Sequence, residues 1–370
     1  MIRLTYSLLC TLVLFFAFEK EAAAEWLSQT APMATVTNFE SKKYVFAVGE
    51  STGRVYCRYE TTPGGSWAWA DLGKPSSTNI SNGTPLSGIA YTFSGTNMIS
   101  VFARGDDLNL WELVWNGSSW SWMPHGQPQG TSVATGPSAI FYGSTPTIDV
   151  YLFGTNNHLY LKQFGGLLWN WYDLGVPSNP PSLWSDPHVF RDSTNGDIIV
   201  VAVGNGSLYV DKYVTTSGVW TWTNEAPGNL RLERPSGVFS AAQDRRIYAA
   251  AQSGDLMLQR VFPGGFVLAQ LGHPQGATAV YFSCAVTGGG STRAWSRTDD
   301  GRLARYNEDI EGGGYFKRWD ATDAPAAVSM TGPPACQFST PTQESTFQVS
   351  STGRLYQRVG LGTWIPHGNP

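Results

Sequence analysis

A short element that recurs seven times constrains the fold of this sequence more than any other feature. It has the form Gly-x-Leu-Tyr, with variants. The copies are Gly53-Arg-Val-Tyr56, Asn109-Leu-Trp111, Asn157-His-Leu-Tyr160, Gly206-Ser-Leu-Tyr209, Gly254-Asp-Leu-Met257, Gly301-Arg-Leu-Ala304 and Gly353-Arg-Leu-Tyr356. The apolar residue before the aromatic returns every 47 to 55 residues. Self-similarity at a period of this size indicates a repeat architecture.

A second element follows each copy of the first, an aromatic or leucine with a proline six residues later. The copies are Trp69 to Pro75, Trp122 to Pro128, Trp171 to Pro177, Leu268 to Pro274, Trp319 to Pro325 and Trp364 to Pro370, with a one-residue slip at Trp222 to Pro227. Two independent elements in the same sevenfold register make chance an inadequate explanation.

Each unit holds four predicted strands. In the third unit they are Ser138 to Tyr142, Ile148 to Phe153, Leu159 to Phe164 and Trp169 to Leu174. Short β-branched and aromatic runs separated by Gly, Asn and Pro are typical of all-β repeats. Four strands in about 49 residues is the size of one propeller blade. The sequence therefore predicts an all-β fold, a single seven-bladed β-propeller over residues 25–370. A β-sandwich array and an open β-solenoid are the alternatives.

Closure of the ring also has a sequence signal. The segment Trp26-Leu-Ser-Gln-Thr-Ala-Pro32 reads as an eighth copy of the Trp-x5-Pro element. We expect it to act as an extra strand that pairs with the last blade, and either Trp26 or Trp364 could complete that blade.

Residues 1–24 have the features of a signal peptide. Arg3 precedes an apolar run from Leu8 to Phe18, and Ala22-Ala23-Ala24 offers a cleavage site before Glu25. The expected location is therefore secreted and extracellular, in an oxidising compartment. The mature chain would keep Cys57, Cys284 and Cys336, which allows one internal disulfide or none.

The net charge and the positions of the histidines argue against two classes of function, nucleic-acid binding and metal binding. A net charge of −4 argues against nucleic-acid binding, which usually leaves a basic footprint. The five histidines lie at positions without metal-ligand spacing, so we expect no metal site and no cofactor.

The repeat resembles that of the seven-bladed lectins of the Photorhabdus lectin type and, more loosely, the fungal fucose-binding propeller lectins. The residues that carry the resemblance are Val101-Phe-Ala-Arg-Gly-Asp-Asp-Leu-Asn-Leu-Trp111 and Trp69-Ala-Asp-Leu-Gly73. The resemblance implies binding of fucose or related sugars in clefts between blades, with glycans or glycoproteins as partners.

A sugar site needs an aromatic ring beside polar groups, and alternation along a strand places residues i and i+2 on one face. The third strands supply such pairs, and the fourth strands add a first tryptophan near their start. The candidate ligand-binding residues are Tyr56, Arg58, Trp67, Trp111, Trp120, Tyr160, Lys162, Trp169, Tyr209, Trp220, Tyr356 and Arg358. Packing between blades is the competing interpretation for every repeated aromatic. Met257 and Ala304 replace the aromatic in blades 5 and 6, so we expect weak or absent sites there.

These observations predict a secreted multivalent lectin without catalysis. One alternative is a propeller that binds a protein through unlike loops such as the insert from Asn79 to Gly88. The other is a glycosidase that uses paired carboxylates among Asp106, Asp107, Asp299 and Asp300, although Asp is common in turns for backbone reasons.

Overall fold

The structure is a computed structural model that describes residues 25–143, 147–226, 228–239, 244–262, 265–288, 291–311, 314–325, 327–340 and 343–370. The predicted signal peptide, residues 1–24, lies outside the described residues and stays a prediction. Within the described ranges every regular element is a strand, and no helix could cross a membrane.

The 28 strands form seven antiparallel sheets of four, each in simple sequence order. Blade 1 holds β1 (Ala34–Thr37), β2 (Lys43–Val48), β3 (Val55–Glu60) and β4 (Trp67–Asp71). Blade 2 holds β5 (Ser87–Phe93), β6 (Thr96–Arg104), β7 (Leu110–Trp115) and β8 (Trp120–Gly126). Blade 3 holds β9 (Ser138–Tyr142), β10 (Thr147–Phe153), β11 (Leu159–Phe164) and β12 (Trp169–Gly175). Blade 4 holds β13 (His188–Arg191), β14 (Ile198–Gly204), β15 (Ser207–Val214) and β16 (Val219–Ala226).

The remaining three blades follow the same plan. Blade 5 holds β17 (Ser236–Phe239), β18 (Arg245–Ala250), β19 (Leu256–Phe262) and β20 (Gly265–Gly272). Blade 6 holds β21 (Val280–Gly288), β22 (Ser291–Thr298), β23 (Leu303–Glu311) and β24 (Gly314–Asp323). Blade 7 holds β25 (Ala335–Thr340), β26 (Gln343–Val349), β27 (Leu355–Val359) and β28 (Trp364–Gly368). The predicted seven-bladed, all-β architecture is confirmed.

The first strand of every blade lies innermost, because these strands contact one another in a closed cycle from β1 through β5, β9, β13, β17, β21 and β25 back to β1. The fourth strand is therefore outermost. Each sheet packs both faces against neighbouring blades, which explains why apolar residues occupy both sides of the second and third strands.

Backbone geometry accounts for the two sequence elements. The first element begins at the turn between second and third strands, where a residue adopts positive φ in every blade, for example Gly53 at 61° and Gly353 at 69°. The Leu-Gly and His-Gly pairs end the fourth strand, where Gly73, Gly126 and Gly368 have φ of 72°, 70° and 72°. Glycine adopts this conformation at least cost, so the repeat preserves it.

The ring closes between blade 7 and blade 1 without a covalent connection. Blade 7 is completed by β28, which begins at Trp364, so Trp26 does not supply its fourth strand. The Leu27 N–H donates to the Gly353 carbonyl at 3.1 Å, just as the Ile80 N–H donates to Gly53 at 2.9 Å between blades 1 and 2. The expectation of an extra strand is therefore corrected: residues 26–32 match the connector between blades and not a fourth strand.

A disulfide joins Cys284 on β21 to Cys336 on β25, so it links the inner strands of blades 6 and 7. Cys57 is a free, buried cysteine on β3. The cysteine count allowed one internal disulfide or none, and the structure contains one. The remaining cysteine, Cys57, lies in the core.

Candidate functional site

The candidate aromatics lie at the junctions between blades. On the third strands of blades 1 to 4 the aromatic belongs to the core shared with the preceding blade: Tyr56 between blades 7 and 1, Trp111 between 1 and 2, Tyr160 between 2 and 3, and Tyr209 between 3 and 4. Arg58 and Lys162, two residues beyond Tyr56 and Tyr160, turn to the same junctions, as strand alternation predicts. The seven junctions share a backbone but differ in chemistry.

At the junction of blades 7 and 1, Arg58 is held by protein groups. Its Nε donates to His367 Nδ1 at 3.2 Å, and its guanidinium carbon lies 5.4 Å from the ring centre of Trp69. Trp67 lies 4.8 Å from the His367 ring, and the Trp69 indole N–H donates to the His367 carbonyl at 3.1 Å. Burial and the nearby Arg58 lower the pKa of His367 to about 4, so the imidazole is neutral at pH 7.

The junction of blades 2 and 3 repeats this arrangement with different side chains. Lys162 lies 4.9 Å from the ring centre of Trp171, and the ring of Trp169 lies 4.4 Å from that of His125. His125 Nε2 pairs with Glu112 at 2.8 Å, and both side chains are almost fully buried. Trp169 therefore packs between blades.

At two further junctions the candidate residues contact protein groups, although a cavity of about 470 Å³ between blades 1 and 2 is lined by Tyr44, Met98 and Trp115, among others. Between blades 1 and 2, Trp120 packs edge-on against Phe46 at 5.6 Å, and the Trp111 indole N–H donates to the Asp107 carboxylate at 3.2 Å. Between blades 6 and 7, Arg358 forms an ion pair with Asp323, and Tyr356 is buried. Burial lowers the pKa values of Arg58, Lys162 and Arg358.

At the junction of blades 3 and 4 the candidate Trp220 lines a cavity. A cavity of about 310 Å³ is lined by the rings of Tyr172, Tyr213 and Trp220 together with Asp149 and Gln163. The Asp149 carboxylate accepts hydrogen bonds from Tyr142, Tyr151 and Gln163, at 2.7, 2.9 and 2.8 Å. Trp220 is the first tryptophan of its fourth strand, at one of the positions predicted to bind a ligand. It lines a cavity that also has polar groups in its wall.

Two polar groups are left without partners at this junction. Both carboxylate oxygens of Asp211 and the indole N–H of Trp222 lack hydrogen-bond partners in the described parts of the chain. Asp211 is 0% exposed, and burial raises its pKa to about 8. In four other blades the tryptophan equivalent to Trp222 donates to a backbone carbonyl of the preceding blade. The contact between blades 3 and 4 is therefore looser here.

Sequence reasoning missed the cleft between blades 4 and 5. A cavity of about 500 Å³ there is lined by Phe266, Arg245, Glu225 and Gln259, among others. Phe266 takes the position of the first tryptophan and is 65% exposed. The sequence predicted a weak site in blade 5 because Met257 replaces the repeated aromatic. Met257 packs in the core between blades 4 and 5, whereas Phe266 lines the cavity.

Arg245 is the main polar group of this cleft. It pairs with Glu225, which also accepts from the Gln259 amide, and its Nη2 lies 3.4 Å from the Gln259 carbonyl oxygen. Its buried Nε has no hydrogen-bond partner in the part of the chain that the structure describes. A second cavity of about 270 Å³ adjoins Arg245 and adds Lys212 and Asp192 to its lining. Only the spatial pairing of Arg245 with Glu225 across two blades reveals this site.

In the remaining part of the ring, ion pairs join the blades in addition to the aromatic packing of Tyr248, Tyr306 and Trp319. Arg246 pairs with Glu308 at 2.7 Å between blades 5 and 6. Arg305 pairs with Glu344 at 2.6 Å between blades 6 and 7, and with Asp320 at 2.8 Å. Loss of the repeated aromatic at Ala304 thus accompanies a different way of joining blades.

The residues that would serve the two alternative functions, glycoside hydrolysis and protein binding, have structural roles. Asp107 accepts from Trp111 and Asn109, and Asp300 pairs with Arg302 at 2.5 Å. Hydrogen bonds lower the pKa values of Asp299 and Asp300, opposite to what a glycosidase acid requires. The insert from Asn79 to Gly88 forms a connector in which Ile80 and Leu86 are buried.

Fold and clefts together define a class: a seven-bladed β-propeller whose outer junctions hold cavities lined by aromatic rings and polar groups. No protein-family model matches the chain, and no curated protein matches it. Several solved structures, in contrast, match most of the chain.

The BP39L lectin from Burkholderia pseudomallei matches with a TM-score of 0.69 and 17% identity, over 91% of this chain and 99% of that one. AofleA from Arthrobotrys oligospora matches with a TM-score of 0.56 and 15% identity, over 84% and 88%. The Aleuria aurantia lectin, solved with alpha-methyl-L-fucoside, matches with a TM-score of 0.56 and 13% identity, over 82% and 99%. The likeness to fucose-binding propeller lectins is thus structural and covers most of the chain.

Proposed function

We propose that this chain is a secreted, multivalent carbohydrate-binding protein that binds neutral sugars of the fucose type between its blades and has no catalytic activity. The similar structures are propeller lectins, and one of them was solved with a fucoside. Their low identity to this chain leaves the ligand to be argued from the clefts themselves.

The observation that carries the proposal is the cleft between blades 4 and 5. Phe266 presents an exposed ring, and Arg245, Glu225 and Gln259 lie beside it as hydrogen-bond donors and acceptors. A sugar offers one apolar face and several hydroxyl groups, so it matches a ring set against such planar polar groups.

Repetition of the sites gives the ring a functional advantage. A single sugar site is typically weak, with a Kd in the millimolar range, which corresponds to about −4 kcal/mol. Several sites on one rigid ring raise the avidity for a glycan-covered surface by about 10² to 10⁴.

A glycan array probed with the full mature chain, followed by calorimetry of each hit, tests the proposal. We expect binding of neutral, fucose-type glycans with more than one site per chain. Folded protein that binds no glycan on the array would overturn the proposal and would favour a protein partner instead.

Two substitutions test the cleft itself. Phe266→Ala removes the exposed ring, and Arg245→Lys keeps the positive charge opposite Glu225 but loses the planar fork. We expect each to weaken sugar binding at this cleft about tenfold or more. Ile365→Ala on the outer strand of blade 7, where the side chain is 41% exposed, is the matched control and should bind like the parent.

A further inference from the structure

The clefts on either side of blade 4 share one wall, the hairpin of β15 and β16. Tyr213 and Trp220 line the cavity towards blade 3. Lys212 and Thr223 line the cavities towards blade 5. Neighbouring residues on a strand point to opposite faces of the sheet, so this one hairpin contributes to both clefts at once.

The distance between the clefts follows from sheet geometry. Packed sheets lie about 10 Å apart, and the blades of a ring diverge towards the periphery, so the cleft centres lie roughly 10–15 Å apart. One oligosaccharide of a few residues can cover that distance, whereas a monosaccharide cannot.

Three exposed apolar side chains lie on the outer strands of the blades that form the two clefts. Tyr172 on blade 3 is 46% exposed, Val219 on the hairpin is 53% exposed, and Phe266 on blade 5 is 65% exposed. Tyr172 and Phe266 also line the two cavities.

The charges of the clefts select for neutral ligands. Among the described residues, the cavity towards blade 3 is lined by the carboxylates Asp149 and Asp173 and by no Lys or Arg. In the cavity of about 500 Å³ towards blade 5, Arg245 is already neutralised by Glu225. An anionic sugar would meet repulsion in the first cleft and would find no uncompensated cation in the second.

We propose that the two clefts flanking blade 4 act together and bind two residues of one neutral oligosaccharide that passes over the β15–β16 hairpin. This inference rests on the proposed carbohydrate binding. It adds that adjacent sites cooperate on one glycan, so that affinity depends on the spacing of two sugar residues as well as on their identity.

The test uses the full mature chain and pairs of α-L-fucosides joined by ethylene-glycol linkers of increasing length. The monovalent probe is methyl α-L-fucoside. We expect affinity to peak at a linker that spans about 10–15 Å, at least about tenfold above the monovalent probe, because effective concentration is highest when the linker matches the span. At that length the pair of clefts should take up one bivalent probe.

Substitutions assign the effect to blade 4. Trp220→Ala or Phe266→Ala should each reduce the bivalent probe to monovalent affinity, and Ile365→Ala should leave the peak in place. Because Trp220 packs against Tyr151, Tyr172→Ala at the exposed rim is the second variant for the cleft towards blade 3.

The outcomes separate the two proposals. Monovalent binding without any dependence on linker length, or a peak that survives both Tyr172→Ala and Phe266→Ala, overturns cooperation across blade 4 and leaves the lectin proposal intact. Failure of methyl α-L-fucoside and of every fucoside pair to bind overturns the fucose-type proposal itself. Stronger binding of sialylated or sulfated glycans than of their neutral counterparts overturns the selectivity argument.

Discussion

At the scale of single residues, the same repeat position has different roles in different blades. Arg58, Lys162 and Asp211 are equivalent in the third strand and face the preceding blade. Arg58 and Lys162 stack on tryptophans, whereas Asp211 is buried without a partner in the described ranges. The repeat predicted where these side chains lie but not what surrounds them, because each environment includes residues of another blade.

Asp211 makes stability depend on pH. Its pKa is raised from an ordinary value near 3.8 to about 8, so it is protonated in the folded state at neutral pH. Its contribution to stability is complete below pH 4 and is lost as pH rises towards 8, by up to about 1.4 kcal/mol per pH unit. Asp211→Asn should remove this dependence and stabilise the protein at pH 8.

Urea unfolding at pH 6.5, 7 and 8 measures the effect. His367 and His188 have pKa values lowered to about 4 and about 3, so their contributions fall as pH drops through 6.5, but they are the same in the parent and in Asp211→Asn and cancel in the difference between the two proteins. Parallel curves for the parent and Asp211→Asn would show that Asp211 is ionised in the folded protein.

Trp169 and Phe266 occupy the same repeat position, but Trp169 packs between blades and Phe266 lines a cleft. Substituting each of them therefore distinguishes a role in packing from a role in ligand binding. Trp169 packs against Phe102, His125 and Phe164, so Trp169→Ala should destabilise the fold by about 3 kcal/mol. Phe266 is mostly exposed, so Phe266→Ala should change stability by less than about 0.5 kcal/mol while weakening sugar binding. Thermal unfolding beside calorimetry checks both. Equal destabilisation by the two substitutions would contradict the assignment of Phe266 to the cleft.

At the scale of elements, the strands were largely predictable and their partners were not. The third unit was predicted as Ser138 to Tyr142, Ile148 to Phe153, Leu159 to Phe164 and Trp169 to Leu174, and the observed strands differ by one residue at two ends. Alternation and turn residues act locally, so one sequence shows them. The cleft at Arg245 and Glu225 depends on the packing of two blades, which strand patterns do not specify.

The disulfide between β21 and β25 is an element-scale tie that the cysteine count could not assign. Its cysteines lie 52 residues apart, so the bond restricts a long loop in the unfolded chain. Reduction, or replacement of both Cys284 and Cys336 by Ser, should lower the free energy of unfolding by about 2–4 kcal/mol. Denaturant titration with and without reductant measures this difference. Since Cys57 is buried and free, Cys57→Ser in the same assay shows whether reductant acts through any other thiol.

At the scale of the whole molecule, seven sheets close on themselves at a junction that no peptide bond crosses. The connector that precedes blade 1 makes the contact that covalent connectors make elsewhere, from Leu27 to Gly353. Thr35 and Thr37 on β1 add hydrogen bonds to β25, at 3.4 and 3.2 Å. The closed ring protects the inner strands and fixes the spacing of the outer clefts, on which the proposed binding of one glycan at two sites would depend.

Leu27 and Ile80 test whether this closure is as firm as the rest of the ring. Both are buried connector residues that pack in a core between blades, but only Ile80 belongs to a chain that continues from the preceding blade. If the contacts alone hold the junction, Leu27→Ala and Ile80→Ala should each destabilise by about 2–5 kcal/mol in a single cooperative transition. A separate early transition in Leu27→Ala alone, seen by calorimetry, would show that the ring opens between blades 7 and 1 before it unfolds. The proposed sugar sites beside blade 4, on the opposite side of the ring, should then lose affinity only in the second transition.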